Sequence, residues 1–258
     1  MISVVIPVYN CEDTIIQCIQ SVIDQTRFDL IDEIIVINDG STDGTIDKIN
    51  EIFTTNKIRI ISKLNGGVSS ARNLGIKNSS SDWIALLDSD DVWVKDKIEQ
   101  QVFYINSYKD INFIGSNRNN EDVHIGKKID QYLYKMNLKS LLIKTWPHTS
   151  TALINKKVFD RVGYYDENLK YSEDNELWCR IVEEFPIYYI RKSLEIAGND
   201  KRPFGAKGLS ANHSGMYKGI VINLKRLKKR KSISLVLYLF LRSFNYVKLK
   251  RRIVLSRR

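Results

Sequence analysis

Only three cysteines occur in the sequence, Cys11, Cys18 and Cys179. An odd number without close paired spacing builds neither a disulfide framework nor a zinc site, and it fits a reducing compartment. Met1 to Tyr9 lacks a basic n-region and a small-residue cleavage site, so no secretory signal is expected. The apolar stretch around Leu235 to Leu241 falls far short of the roughly 20 residues that a bilayer-spanning helix needs. Internal repeats and low-complexity segments are absent. What remains is ordinary for a folded chain: 258 residues, 43% hydrophobic and 27% charged, enough to bury one sizeable core.

The most informative absence is acidic. No Asp or Glu follows Asp200. The first 200 residues hold 23 Lys and Arg against 30 Asp and Glu, a net −7, and the remainder holds 17 Lys and Arg, a net +17. A mildly acidic domain therefore carries a strongly basic extension, suited to a phosphate-rich partner such as anionic lipid, nucleic acid or a phosphorylated substrate.

Along the acidic part, strand and helix signals alternate. Ile2 to Ile6 is a short apolar run ended by Pro7, and Glu33 to Ile37, Ile58 to Ile61 and Trp83 to Leu87 are three more. Between them lie helical spacings: Ile15, Ile16, Ile19, Val22 and Ile23; Ile46, Ile49 and Ile52; Val68, Ala71 and Leu74. Such alternation predicts an α/β fold with a mostly parallel sheet covered by helices. Ligands of these sheets sit past the carboxyl ends of the strands. Polar residues gather there: Tyr9, Asn10 and Glu12 after the first strand, Asp39 and Ser41 after the second, Asp88 to Asp91 after the fourth. The middle, from about 95 to 166, is less regular. Thr149 to Asn155 is expected as a strand and Glu173 to Glu184 as a helix.

Four segments carry chemistry. Asp88-Ser89-Asp90-Asp91 puts three carboxylates in four residues, which repel unless a cation offsets them. Mg²⁺ or Mn²⁺ suits such oxygens together with substrate phosphates; a helix cap by Asp90 or Asp91 is the plainer explanation. Asp39, before Gly40, can accept hydrogen bonds from a base or ribose, although loop capping accounts for much of its segment. Arg72 follows the Gly66-Gly67 turn at a helix start, where anions are favoured, or else is a solvated surface arginine. Glu173-Asp174 opens a helix, as dipole-favoured acids or as a base whose neighbour raises its pKa.

Taken together, Val4 to Asn10, Val36 to Asp43, Gly67 to Asn73, Leu86 to Asp91 and Glu173-Asp174 resemble the family 2 glycosyltransferases and their GT-A fold, over about Ile2 to Glu184. The resemblance implies that Pro7, Val8, Tyr9, Glu12, Asp39, Arg72, Asp88 and Ser89 serve the nucleotide. It makes Asp88 and Asp90 an Asp-X-Asp motif holding Mn²⁺ or Mg²⁺, with His213 a candidate third ligand. Asp174 matches the catalytic base, with Glu173 beside it, and one base implies inversion. The donor would be a nucleotide-diphosphate sugar, usually of UDP, and the acceptor a glycan or lipid-linked hydroxyl of a bacterial surface polysaccharide. No Gln-X-X-Arg-Trp segment follows Asp174, so single addition is expected. Arg202 to Ser210 resembles a post-catalytic loop, with Lys201, Arg202 and Lys207 placed to close over the diphosphate. His148 is a further candidate, on the acceptor side.

A catalytic domain over residues 1–215 and a basic amphipathic helical extension over 216–258 complete the expected layout. In the extension Ile233, Val236, Leu237, Phe240, Leu241, Phe244 and Val247 recur at helical spacing between basic flanks. Such a helix lies on anionic lipid, which places the protein at the inner face of the cell membrane, or packs on the domain with solvated charges. The loop after the first strand lacks the glycine-rich, basic form that nucleotidyltransferases use. A nucleic-acid-binding role for the tail is disfavoured, because its charge flanks an apolar stripe without interleaved stacking platforms, and a scaffold role because Asp39, Asp88, Asp90 and Asp174 are all retained.

Overall fold

A computed structural model describes residues 1–198 and 211–255. The Arg202 to Ser210 loop, with Lys201, therefore lies outside the described residues. The strands run β1 (Ile2–Val8), β2 (Ile31–Asn38), β3 (Ile58–Ser62), β4 (Trp83–Leu86), β5 (Asp91–Trp93), β6 (Phe113–Asn117), β7 (Lys127–Lys128), β8 (Leu133–Met136), β9 (Leu153–Asn155), β10 (Ile187–Ser193) and β11 (Glu195–Ala197). The helices are α1 (Ile15–Ile23), α2 (Thr45–Ile52), α3 (Val68–Asn78), α4 (Lys97–Ser107), α5 (Leu138–Ile143), α6 (Lys156–Val162), α7 (Glu173–Glu184), α8 (His213–Lys229) and α9 (Leu235–Leu255).

Nine strands form one sheet in the order β3-β2-β1-β4-β9-β6-β10-β8-β7. β3, β2, β1 and β4 are mutually parallel; β9 runs antiparallel to β4 and β6, and β10 is parallel to β6. β1 is buried along its whole length, as a central strand with helices on both faces must be. Its side chains alternate between two cores. Val5 joins Leu86, Phe113, Trp146 and Trp178 on one side, and Val4 and Ile6 join Ile15, Ile19 and Val22 of α1 on the other. Burying an Ile or Val of this kind stabilises by roughly 1.5–3 kcal/mol, so α1 is held by its inward stripe rather than by caps.

Glycine sets one close approach. A Cβ on Gly75 would stand 2.3 Å from Val5 Cγ1, so α3 lies tight on β1 and holds Arg72 one turn earlier against the sheet's end.

Two local expectations change. Thr149–Thr151 is a 3-10 turn and only Leu153–Asn155 is strand, because Thr151 donates to the His148 carbonyl and Ser150 turns to the Asp-rich loop. Asp91 caps no helix: it opens β5, which pairs with β11 as a separate ribbon.

The expected boundary at residues 215 and 216 falls inside α8. Leu224, Leu227, Ile233, Tyr238 and Leu241 share one core cluster with Trp146 and Trp178, so the α8–α9 hairpin packs on the rest of the fold. α9 divides its apolar residues: Tyr238 and Leu241 are buried, whereas Val236, Phe240, Phe244 and Val247 remain exposed. No helix among the described residues is long and apolar enough to cross a membrane.

Candidate functional site

The carboxyl ends of β1, β2 and β4 open onto a cleft of about 1080 Å³, to which Pro7, Val8, Tyr9, Asp39, Arg72, Asp88, Ser89, Asp90, Glu173, Asp174, His148 and His213 all contribute walls. Pro7 and His213, 206 positions apart in sequence, thus meet at one place, as the strand-end rule requires. Glu12 is the exception. It does not line the cleft; its Oε2 accepts from the Gly44 amide at 2.9 Å and so braces the loop leading into α2.

Asp39 has a structural task that the sequence does not announce. Its carboxylate accepts from the Gly66 and Gly67 amides at 2.9 and 2.8 Å and from Lys63 Nζ at 2.7 Å. These bonds fasten the turn that starts α3, where Gly67 adopts φ +86°. Only 3% of Asp39 is exposed, on the cleft wall.

Arg72 is buried rather than solvated, and it spans two walls. One terminal nitrogen donates to Asp88 Oδ1 at 2.6 Å and the other to Glu173 Oε1 at 3.1 Å, with the guanidinium 5.3 Å from the Tyr165 ring centre. Burial opposes its charge, but Asp88, Tyr165 and Glu173 outweigh that and hold it protonated.

The Asp-rich loop is pinned by a residue that sequence reasoning passed over. Ser150 Oγ accepts from the Asp88 amide at 3.1 Å and donates to the Asp91 carboxylate. Asp91 also accepts from the Gly198 amide at 3.1 Å. Burial, reinforced by the charge of Asp88, pushes its carboxyl up to about 6. Behind it Glu195 is fully buried, its oxygens without a hydrogen bond and with Arg118 Nη1 3.9 Å from Oε1, and desolvation followed by the charge of Asp91 raises its pKa well above the ordinary range. Lys97, equally buried, donates to Gln101 at 2.8 Å, and desolvation brings it down to about 7.

This loop concentrates negative charge in a poorly solvated place, and Asp88 and Asp90 offer hard carboxylate oxygens at the cleft wall. Such donors fit Mg²⁺ or Mn²⁺. Among the described residues no three of His, Cys, Asp and Glu converge into a ready-made cage, so an ion here would complete its shell with water or substrate oxygens. His213, in the first turn of α8, lines the same cleft without joining Asp88 and Asp90 in a three-ligand cluster.

Glu173 and Asp174 begin α7 directly after Ser172, which holds a left-handed conformation at φ 57°. Asp174 accepts from the Asn175 amide at 2.6 Å. Burial first, and the charge of Glu173 second, raise its pKa to about 7, against the opposing pull of Arg72. That is a carboxylate tuned to exchange a proton near neutrality. His148 is driven well below its ordinary value by burial, Arg118 and Lys144, and is neutral.

α8 secures this turn from behind. A Cβ on Gly219 would stand 2.2 Å from the Tyr171 carbonyl oxygen, and one on Gly215 would meet the Tyr171 ring at 2.6 Å. Asn223, one turn on, donates to the Ser172 carbonyl at 2.9 Å and to Asn175 at 3.2 Å. The spacing Gly215, Gly219, Asn223 is the signal that marks this contact in the sequence.

The family model for glycosyl transferase family 2 matches residues 3–165. The chain belongs to that family. Among curated proteins, a family 2 chain of this kind is similar to an uncharacterized glycosyltransferase of Rickettsia felis, 35% identical over 197 residues, covering 75% of this chain and 32% of that protein. It is also similar to the Escherichia coli UDP-Glc:alpha-D-GlcNAc-diphosphoundecaprenol beta-1,3-glucosyltransferase WfaP, 32% identical over 186 residues and 71% of each chain. The chain spans about a third of the Rickettsia felis relative's length. Its fold matches that of S. aureus TarS 1-349 in complex with UDP, with a TM-score of 0.67, 19% identity, and coverage of 88% of this chain and 65% of that one. The mannosyltransferase PcManGT from Pyrobaculum calidifontis, in complex with GDP-Man and Mn²⁺, gives 0.66 at 16% identity, covering 88% and 64%. The family 2 fold expected from the strand-end motifs is therefore the fold observed.

Proposed function

We propose that this family 2 protein is an inverting glycosyltransferase that moves one sugar from a nucleotide-diphosphate donor, of UDP, to a hydroxyl of a glycan or lipid-linked acceptor in bacterial surface polysaccharide synthesis. One observation carries the reading: Arg72 ties Asp88 to Glu173 across the cleft, next to an Asp174 poised near neutral pH. The anion-handling groups and a proton acceptor thereby face one space.

In this reading Pro7, Val8, Tyr9 and Asp39 flank the nucleoside, and Arg72 and Ser89 lie toward the diphosphate. Asp88 and Asp90 hold Mn²⁺ or Mg²⁺, which when bound neutralises charge on the departing diphosphate. Asp174 takes the proton of the acceptor hydroxyl as its oxygen bonds to the anomeric carbon. The bond from that carbon to the diphosphate oxygen breaks, and the nucleoside diphosphate leaves with the electron pair. A single displacement inverts the carbon. Glu173 and Arg72 orient the base and keep its proton affinity in range.

The exposed apolar face of α9, between basic residues, supports peripheral attachment to anionic lipid on the inner face of the membrane. Similarity to WfaP supports a lipid-linked acceptor.

Calorimetric titration with UDP, GDP and dTDP, with and without Mn²⁺, tests the donor site. Metal-dependent binding of UDP that Asp90→Ala removes is the expected result. Folded wild-type protein that binds none of the three overturns the reading.

A further inference from the structure

Residues 145–151 form a strap between two parts of the cleft that lie far apart in sequence. α7 holds one end: Asn175 Nδ2 donates to Thr145 Oγ1 at 3.0 Å, and Trp178 Nε1 donates to the Pro147 carbonyl at 2.9 Å. The Asp-rich loop and β5 hold the other. Ser150 Oγ accepts from the Asp88 amide at 3.1 Å and donates to Asp91, while Trp93 Nε1 donates to the Ser150 carbonyl at 2.7 Å. The strap is thus fastened both to the helix that carries Glu173 and Asp174 and to the loop that carries Asp88 and Asp90.

His148 is the outlet of this strap. From residue 146 to residue 154 every position is buried except His148, which lines the cleft. Its ring stands edge-on to that of the buried Trp146, with centres 4.9 Å apart. Its carbonyl accepts from Thr151 Oγ1 at 2.8 Å, so ring and backbone are both held. Among the described residues the imidazole makes no hydrogen bond and no ion pair. The cations that act on it are already engaged: Lys144 lies 3.0 Å from Glu121, and Arg118 lies 3.6 Å from Glu121 and 3.9 Å from Glu195.

A neutral imidazole offers one N–H and one lone pair. Facing an anion, the lone pair would meet negative charge; facing hydrocarbon, both groups would go without a partner. A hydroxyl donates and accepts, so it satisfies either nitrogen. On the glycosyl-transfer reading, on which this inference rests, the diphosphate lies at the Asp-rich loop and the proton acceptor on α7. The sugar being transferred then lies between them, because its anomeric carbon is bonded on one side and attacked from the other. That interval is the one the strap spans.

We propose that His148 hydrogen-bonds a ring hydroxyl of the donor's sugar and so selects which nucleotide sugar the protein accepts. A side chain that the sequence placed with the acceptor thereby serves the donor. An epimer that turns the hydroxyl away leaves a half-buried imidazole unpartnered, and that is the source of the discrimination.

Calorimetry on the full chain, with Mn²⁺ and no acceptor, compares UDP, UDP-glucose, UDP-galactose and UDP-N-acetylglucosamine. The wild type is expected to bind one of the three sugars at least about tenfold more tightly than the poorest of them. His148→Ala is expected to lose about tenfold in affinity for that preferred sugar while binding UDP as the wild type does. His148→Gln keeps a neutral donor and acceptor, so its loss should be smaller, and it serves where the alanine variant does not fold. Folded variants that keep the wild-type ranking of the sugars overturn the proposal. Equal weakening of UDP and the UDP-sugars also overturns it, since His148 would then serve the ion or the diphosphate. So does a wild type that binds UDP and ranks the three sugars equally. A folded wild type that binds none of the four removes the glycosyl-transfer reading itself, and this proposal with it.

Discussion

Asn223 of α8 donates its side-chain amide to the Ser172 carbonyl at 2.9 Å, immediately before the Glu173-Asp174 pair. The helix that begins the basic extension therefore holds the turn from which Glu173 and Asp174 project, Asp174 being the proposed base. Asn223 is buried, and the same amide nitrogen reaches Asn175.

Asn223→Ala is expected to lower kcat by about tenfold, or about 1.4 kcal/mol, with a smaller change in donor affinity. Gly219→Ala should act in the same direction, because its Cβ would collide with the Tyr171 carbonyl and displace α8. Steady-state kinetics separates this positioning effect from simple loss of fold: unchanged kcat in a folded Asn223→Ala protein would remove α8 from the site.

On the proposed mechanism Asp174, as the base, sets the pH profile. With its carboxyl raised to about 7, kcat/KM should rise about tenfold per pH unit below that point and level off above it. Glu173→Gln removes a like charge, so the inflection should move to lower pH. Asp174→Asn should abolish transfer at every pH while UDP still binds. A profile flat between pH 5 and pH 8 for wild type would exclude Asp174 as the titrating base.

Ser150 spans the Asp-rich loop by bonding both Asp88 and Asp91. Ser150→Ala leaves a buried carboxylate short of a donor, at a cost of about 1–3 kcal/mol. The expected outcome is a lower urea midpoint together with weaker Mn²⁺-dependent UDP binding. Weakening of one without the other would mean that the loop's order and its ligand role are separate.

Gly75→Ala tests the packing that delivers Arg72. The added methyl would meet Val5 Cγ1 at 2.3 Å, and overpacking of this type costs about 1–3 kcal/mol, more than the roughly 1 kcal/mol gained in helix propensity. Chemical denaturation should show a destabilised protein. UDP affinity should fall as well, since Arg72 sits one turn away.

The first four strands and the three helices between them were legible because each buries a continuous stripe, and burial imposes periodicity on the residues that form it. The strand-end carboxylates were legible for the same reason: the boundaries of an apolar run say where its loop begins. The less regular middle was harder. β6 and β9 draw their partners from strands far away in sequence, and Thr149 to Thr151 turns because Ser150 answers Asp91, a residue 59 positions earlier. Glu12, which the resemblance gives to the nucleotide, meets the Gly44 amide 32 positions later, a contact that local pattern does not show.

Sequence alone determined the αβ alternation, the order of the polar loops and the segregation of basic residues after Asp200, because all three are properties of neighbours along the chain. Only the tertiary structure decided that Arg72 is buried between Asp88 and Glu173, and that burial and the charge of Glu173 raise the Asp174 carboxyl. It also decided that α9 turns one apolar face inward and leaves the other exposed. Each of these depends on which distant groups share a poorly solvated space, and desolvation and charge at contact distance are set by the fold rather than by spacing.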